Sequence, residues 1–523
     1  MKKYKLKSGI IVLFLIMLMS CETLDLAPLD YYGSENFWKD QTQVEGYILG
    51  VHKQLRDRDR TYWLLGEARG GLQKHGTSST SVSLDYSSPI KDKDFSKDKT
   101  GLSNWGGFYD LVLNINMGIF QLENKIDFLK EDDKKFYLGQ LYGIRAFTYF
   151  YLYRTYGGVP IITEPKVLQG VNSAEPLYTE RSTPKQVLDF IKNELEKSES
   201  SFGSNLTIKN NKGAWSKYAT LMLKAEVYLW SAKVITDDQS TSEDDLSIAE
   251  NVLQQVKGNF ELLPNFTDVF NYNKKGNNEI IFALRFKENE AINWVGYFTY
   301  QTGLMASKYF IDGTQNADPL RLKGSGVNIL RNEYIFPFFQ SFDDEDTRKR
   351  ATFLDIYDKD AVTGELINGG LILRKFLGII NSDGDRVLAD DIPVYRYADV
   401  LLMLAEIENK KGGDAAQYIN MIRERAYGEN YDPSLHAYVN ADFETNELAI
   451  LAERDKEFVW ECKRWFDVRR MQDGAGNPLV FSDKTTYGHG AVLSTGEAHK
   501  VLWPVDVNTL NMDPKLKQTP GYE

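Results

Sequence analysis

Cysteine is almost absent from this chain. Cys21 and Cys462 are the two in 523 residues, which excludes a disulfide-stapled fold and a cysteine-rich metal site. Histidine is scarce too. The five, His52, His75, His436, His489 and His499, form no HExxH pattern, and there is no GxSxG elbow, phosphate-binding loop or dinucleotide fingerprint. Beyond residue 19 no apolar run approaches the length of a membrane-crossing helix, which takes about 18 residues or more. Basic blocks are missing as well: 62 Lys and Arg stand against 74 Asp and Glu, a net charge of −12. An acidic chain repels phosphate backbones, so nucleic acid is not expected as a partner.

What the chain does have is aromatic surface. Thirty Tyr, 28 Phe and 9 Trp make 13% of the residues, within a composition that is 42% hydrophobic and 26% charged. That is ample for a large buried core, and it excludes disorder, collagen or coiled coil as a description of the whole.

The N-terminus reads as an address. Lys2, Lys3, Lys5 and Lys7 precede an uncharged apolar run from Gly9 to Met19, too short to cross a bilayer as a mature helix. The run ends in Leu18-Met19-Ser20-Cys21, which resembles a bacterial lipobox. Residues 1–20 are therefore expected to be a lipoprotein signal peptide, with Cys21 the acylated new N-terminus. Multiple acyl chains provide stable anchoring where one is marginal.

The body, 21–523, is expected to be a single unit, mainly α, with paired helices as scaffold and a long irregular excursion carrying short strands. Helical periodicity predicts helices over Thr42–Asp57, Trp105–Leu129, Lys134–Tyr156, Trp215–Val234, Leu246–Val256, Tyr397–Lys410 and Asp414–Arg425. Thr183-Pro184 caps another that runs to about Ser198, and Glu447–Met471 reads as one long helix with a possible break. Small residues at the crossings, such as Ala219, Ala225 and Ala405, suit tetratricopeptide-like hairpins, although no 34-residue period emerges. This divides the body into an N-terminal helical part to about 235, an irregular region over 236–395 with strand-like runs at Glu279–Phe286 and Gly369–Leu373, and a C-terminal helical block.

Several blocks then resemble the SusD/RagB family. They are Arg145-Ala146-Phe147 with Tyr156-Gly157-Gly158-Val159-Pro160, the run Arg396-Tyr397-Ala398-Asp399-Val400-Leu401-Leu402, and Asn420-Met421-Ile422-Arg423-Glu424-Arg425-Ala426. Two more follow: Glu453-Arg454 leading to Arg464-Trp465-Phe466-Asp467-Val468-Arg469-Arg470, and the terminal Gln518-Thr519-Pro520-Gly521-Tyr522. One departure stands out, Glu461-Cys462 where the family usually has Glu-Gly. The resemblance implies a non-catalytic outer-membrane lipoprotein on the cell surface. Such a protein caps a SusC-like TonB-dependent transporter and passes it oligosaccharides, or peptides in some members. No cofactor is implied. A surface glycoside hydrolase stays open as an alternative, because carboxylate pairs are not separable by spacing among 74 acidic residues.

Sugar recognition needs flat aromatic faces flanked by hydrogen-bonding groups. Trp38, Trp105, Trp215, Trp230, Trp460, Trp465 and Trp503 lie in periodic helices or family blocks and read as packing. The expected ligand-binding residues are Tyr62 and Trp63 after the charged run Arg56–Arg60, Tyr86 in a polar stretch, and Trp294 with Tyr297 in the irregular region. Two oxygen-rich stretches, Asp358–Glu365 and Asn381–Asp385, have calcium-like spacing but read more simply as hairpin turns. In the Arg-Trp-Phe-Asp-Val-Arg-Arg block, Arg464, Asp467 and Arg470 are expected to ion-pair along one helix.

Overall fold

The computed structural model describes residues 37–76, 88–101, 105–236, 238–298, 307–315, 320–321 and 332–523. Cys21 and Tyr86 lie outside the described residues, as does the side chain of Tyr297.

Helices appear where apolar residues recur at helical spacing. They are α1 (Gln41–Arg56), α2 (Asp59–Trp63), α3 (Gly106–Asn124), α4 (Glu131–Tyr156), α5 (Pro184–Phe202), α6 (Lys217–Lys233) and α7 (Glu243–Val256), followed by α8 (Tyr397–Lys411), α9 (Ala416–Tyr427), α10 (Phe443–Glu457) and α11 (Arg464–Arg470). From α3 to α8 each packs on the next, and α8 then holds α9 and α10, so tetratricopeptide-like pairs form one continuous stack. Because α7 meets α8, the two helical ends of the chain share this stack although the irregular region separates them in sequence.

Helix α4 is central. From Phe136 to Tyr156 every side is buried, the pattern of a helix with no solvent face. Its close approach to Trp215, just ahead of α6, depends on Gly143, where a Cβ would lie 2.0 Å from the indole Nε1. Gly157, at φ 73°, ends the helix. The start of α5 carries the expected cap: Thr183 accepts from Gln186 N–H, and the Gln186 side chain accepts from Thr183 N–H.

The irregular region is stitched by antiparallel strand pairs. Strand β1 (Gln73–His75) pairs with β3 (Asn332–Tyr334), and β2 (Ile280–Leu284) pairs with β8 (Ile392–Arg396). Hairpins join β4 (Phe353–Lys359) to β5 (Leu366–Leu373) and β6 (Ile379–Ile380) to β7 (Arg386–Val387). Both oxygen-rich stretches form the turns of these hairpins. Asp360 Oδ1 accepts from Val362 and Thr363 N–H, and Asn381 Oδ1 from Asp383 and Asp385 N–H, so these oxygens serve their own backbone.

The long C-terminal helix is broken between α10 and α11, where Trp460 and Cys462 both take φ 64°. Within α11, Arg470 pairs with Asp467 at 3.0 Å as expected. Arg464 does not. It reaches back to both oxygens of Asp455 on α10 at 2.6 Å, because the break folds the two helices side by side.

A buried ion network joins these parts. Arg396 donates to Glu279, Glu457 and Glu461 at 2.6–3.0 Å. Arg425 binds Glu279 and Glu457, Arg348 binds Asp346, Glu453 and Glu457, and Lys375 binds Glu461. Burial opposes ionising Glu457, but the guanidinium groups of Arg425, Arg396 and Arg348 overcome it and hold the carboxyl far below its usual range. Glu457→Ala strips one carboxylate from three buried arginines and is expected to cost about 3–5 kcal/mol. Thr183→Ala removes only a cap, at about 1 kcal/mol. Denaturant unfolding of the two variants checks the ranking.

Candidate ligand-binding face

Trp294 is held in place from both sides. Just before it, Asn293 is buried; its amide donates to the carbonyls of Phe376 (3.3 Å) and Asp390 (3.2 Å), and its N–H donates to Leu388 O at 2.8 Å. Just after it, Val295 is fully buried and its N–H donates to Asn293 Oδ1 at 3.1 Å. The indole between them is half-buried, and the Arg60 guanidinium lies 5.2 Å from its ring centre. Tyr297 follows on the same 3₁₀ turn, Trp294–Phe298.

This turn packs on β3 and β5, and β3 pairs with β1, so Trp294 and the β1–β3 ribbon belong to one face. His75 at the end of β1 lies 3.1 Å from Asp92, and Lys91 donates to Asn332 at 2.6 Å, tying the chain on either side of residues 77–87 to the ribbon. Tyr86 belongs to that connection by sequence.

Tyr62 and Trp63 are placed differently from the sequence expectation. They are 2% and 3% exposed, so neither ring presents a face to solvent. The Tyr62 ring packs against Tyr151 at 4.6 Å and Phe147 at 5.7 Å. The reason was visible in the four consecutive apolar residues Tyr62-Trp63-Leu64-Leu65, all buried, which outweigh the charged run before them. Sequence reasoning missed Arg60 and Arg56. Their signal is the four-residue spacing, which repeats in their partners: Arg56 ion-pairs with Glu290 and Arg60 covers Trp294.

Beside Tyr62 lies a small pocket of about 40 Å³, bordered by Asp59, Arg154, Glu226, Arg454 and Asp467 among others. Asp59 Oδ1 accepts from Arg60 N–H at 2.7 Å, while Oδ2 is buried with no hydrogen-bond partner among the described residues. Burial pushes its carboxyl up to about 7. Glu67 is alike: Oε1 accepts from Tyr334 OH (3.0 Å) and Trp460 N–H (3.3 Å), Oε2 has no partner among the described residues, and burial pushes the group to about 7. Glu67 sits on a turn of π-helix, Leu64–Ala68, that abuts the α10–α11 break. A Cβ on Gly66 would lie 1.9 Å from Cys462 O, so only glycine admits this approach. Burial pushes the Cys462 thiol well above its usual range, leaving a packing thiol with little thiolate. Among the described residues no group of three or more His, Cys, Asp or Glu side chains is placed to hold a metal ion. None of the described helices is long and apolar enough to cross a membrane.

Family comparison covers nearly the whole body. Residues 216–522 match the model of the SusD family, and residues 60–229 match that described as starch-binding associating with outer membrane. The chain is 25% identical to SusD-like protein P38 of Formosa agariphila over all of both chains. It is 24% identical to starch-binding protein SusD of Bacteroides thetaiotaomicron, over 60% of this chain and 61% of that one. Among solved structures, a SusD superfamily protein of Bacteroides fragilis shares 42% identity with a TM-score of 0.86, covering 93% of this chain and 100% of its own. NanU of B. fragilis shares 30% identity with a TM-score of 0.80, covering 95% of this chain and 100% of its own.

The two raised carboxyls set a pH test. Groups whose folded pKa is raised stabilise the fold below their unfolded values, near 3.8 and 4.5 here, and that contribution is lost as pH rises through about 7. The Asp59→Asn, Glu67→Gln double variant keeps both groups neutral throughout. It is expected to come closest to the parent below about pH 3.8, to pull ahead as pH rises through 5 and 6, and to exceed it at pH 8 by on the order of 1–3 kcal/mol, read as a higher melting temperature.

Proposed function

This chain belongs to the SusD family, and on that premise we propose that it is a non-catalytic cell-surface lipoprotein that captures oligosaccharides and delivers them to a SusC-like TonB-dependent transporter in the outer membrane. The observation that carries the reading is family likeness over nearly the whole body, including the match described as starch-binding associating with outer membrane. The N-terminal lysines, the short apolar run and Cys21 supply the export signal and lipid anchor that such a place requires.

The ligand is taken on the face around Trp294. Its half-buried indole offers apolar surface to a sugar ring, and Arg60 beside it supplies hydroxyl-binding donors. Tyr297, on the same turn, and Tyr86, eleven residues after His75 in sequence, are proposed as further contact residues. Tyr62 and Trp63, buried beneath, hold α2 and hence Arg60 in place. A rigid platform suits a capture protein, since little ordering entropy is lost on binding.

Native affinity electrophoresis through gels carrying neutral and acidic polysaccharides tests this. Retardation in at least one gel is expected, with Trp294→Ala weakening it about tenfold, the equivalent of about 1.4 kcal/mol. Competition by peptides and not by sugars would make the ligand a peptide. Release of reducing ends, abolished by a single carboxylate change, would make the protein a hydrolase. A TonB-dependent barrel is expected to co-purify on mild extraction, and a solitary protein would count against the transporter role.

A further inference from the structure

The segment carrying Trp294 does not begin there. It leaves β2, turns at Lys287–Ala291 and runs along α1 and α2, with Arg56 against Glu290 and then, four residues on in both segments, Arg60 against Trp294. Beside the first of these contacts opens a groove of about 350 Å³. Its floor is apolar, built from Leu49 and the β2 residues Phe282 to Leu284 with Phe286.

Its charged groups are one-sided. Lys53, Arg56, Arg285 and Lys287 line the groove, against Glu290. Counting Asp57, which pairs with Lys53 from just outside, the cations still exceed the anions by two. This occurs on a chain whose net charge is −12, so the groove stands against the overall field. These cations differ in how far they are occupied. Arg56 is 8% exposed; it donates to Glu290 and to Arg285 O at 3.2 Å, and its Nε lies 3.6 Å from Asp57. Lys287 is exposed, and its ammonium makes no hydrogen bond or ion pair among the described residues. Arg285 places one nitrogen on Asn210 O at 2.8 Å, which fixes its fork at the rim. His52, also on the wall, is fully used: Nδ1 lies 2.8 Å from Ile48 O, and Nε2 accepts from Trp215 N–H at 2.8 Å.

An apolar floor edged by guanidinium and ammonium groups matches a sugar ring that carries an anionic substituent. We propose that this groove is a second subsite that takes a carboxylated or sulfated sugar unit, so that the glycan passing over Trp294 is acidic. The inference rests on the glycan-binding reading and adds the charge class of the ligand. Lys287, Lys53 and Arg56 supply the attraction, with Glu290 yielding its hold on Arg56 to the incoming anion.

The test uses full-length protein in mild detergent, run through gels carrying dextran, polygalacturonate or dextran sulfate. The acidic gels separate a carboxylate from a sulfate preference. Both Lys53 and Lys287 have exposed side chains, so the Lys53→Gln, Lys287→Gln double variant is expected to fold as the parent does, which its melting temperature verifies. Retardation by an acidic polysaccharide is expected, falling steeply with added salt and weakened roughly three- to tenfold in the double variant. Retardation by neutral polysaccharides alone, or equal retardation of parent and double variant, would overturn this inference and leave the glycan reading standing. Retardation by no polysaccharide in a broad panel would overturn both.

Discussion

Four buried cations and five buried carboxylates, meeting around Arg396 and Glu457, are the constraint on which the rest of the molecule depends. Taking so many charges out of water is expensive, and their mutual attraction offsets it only where every lone pair and proton finds a partner. The network draws its members from residues far apart in sequence: Glu279 ahead of β2, Arg348 and Lys375 from the irregular region, and Arg425, Glu453, Glu457 and Glu461 from the C-terminal helices. A network of this kind tolerates little sliding, because a small shift leaves a charge unpaired. It sets where the irregular region sits on the helical stack.

The candidate face around Trp294 inherits that placement. Glu279 directly precedes β2, β2 pairs with β8, and the chain leaving β2 forms first the groove and then the turn bearing Trp294. On the other side, α1 and α2 bring Arg56 and Arg60, held by a core that buries Tyr62 and Trp63 completely. Both walls are therefore anchored in packed structure.

The electrostatics divide the protein into zones. The surface as a whole is acidic, which favours solubility and keeps polyanions away in general. The interior near α2 holds carboxyls that burial raises to about 7, Asp59 beside a small pocket and Glu67 against the α10–α11 break. The groove beside Glu290 is the cationic exception. An acidic body with a local cationic groove admits an anion only where an apolar floor and fixed donors act together, which turns a diffuse charge preference into a positional one.

Much of this was legible in the residues alone. The helix pairs, the cap at Thr183, the stop at Gly157 and the hairpin turns at Asp360 and Asn381 follow from periodicity and from local backbone chemistry, which act over a few residues and need no distant partner. The packing role of Trp215, Trp230, Trp465 and Trp503 was equally plain from their place in apolar stripes. Other features were not. Arg464 pairs with Asp455 and not within its own helix, because Trp460 and Cys462 turn the chain back on itself. Tyr62 and Trp63 follow a charged run but open the apolar run that seals them in the core, while Arg60, two residues before Tyr62, reaches a tryptophan more than 200 positions away. Sequence by itself determined the helical scaffold and the family, because each rests on contiguous pattern. Which aromatic rings meet solvent, and which cations gather opposite them, only the tertiary structure decided, since exposure and charge clustering depend on segments that pack together from opposite ends of the chain.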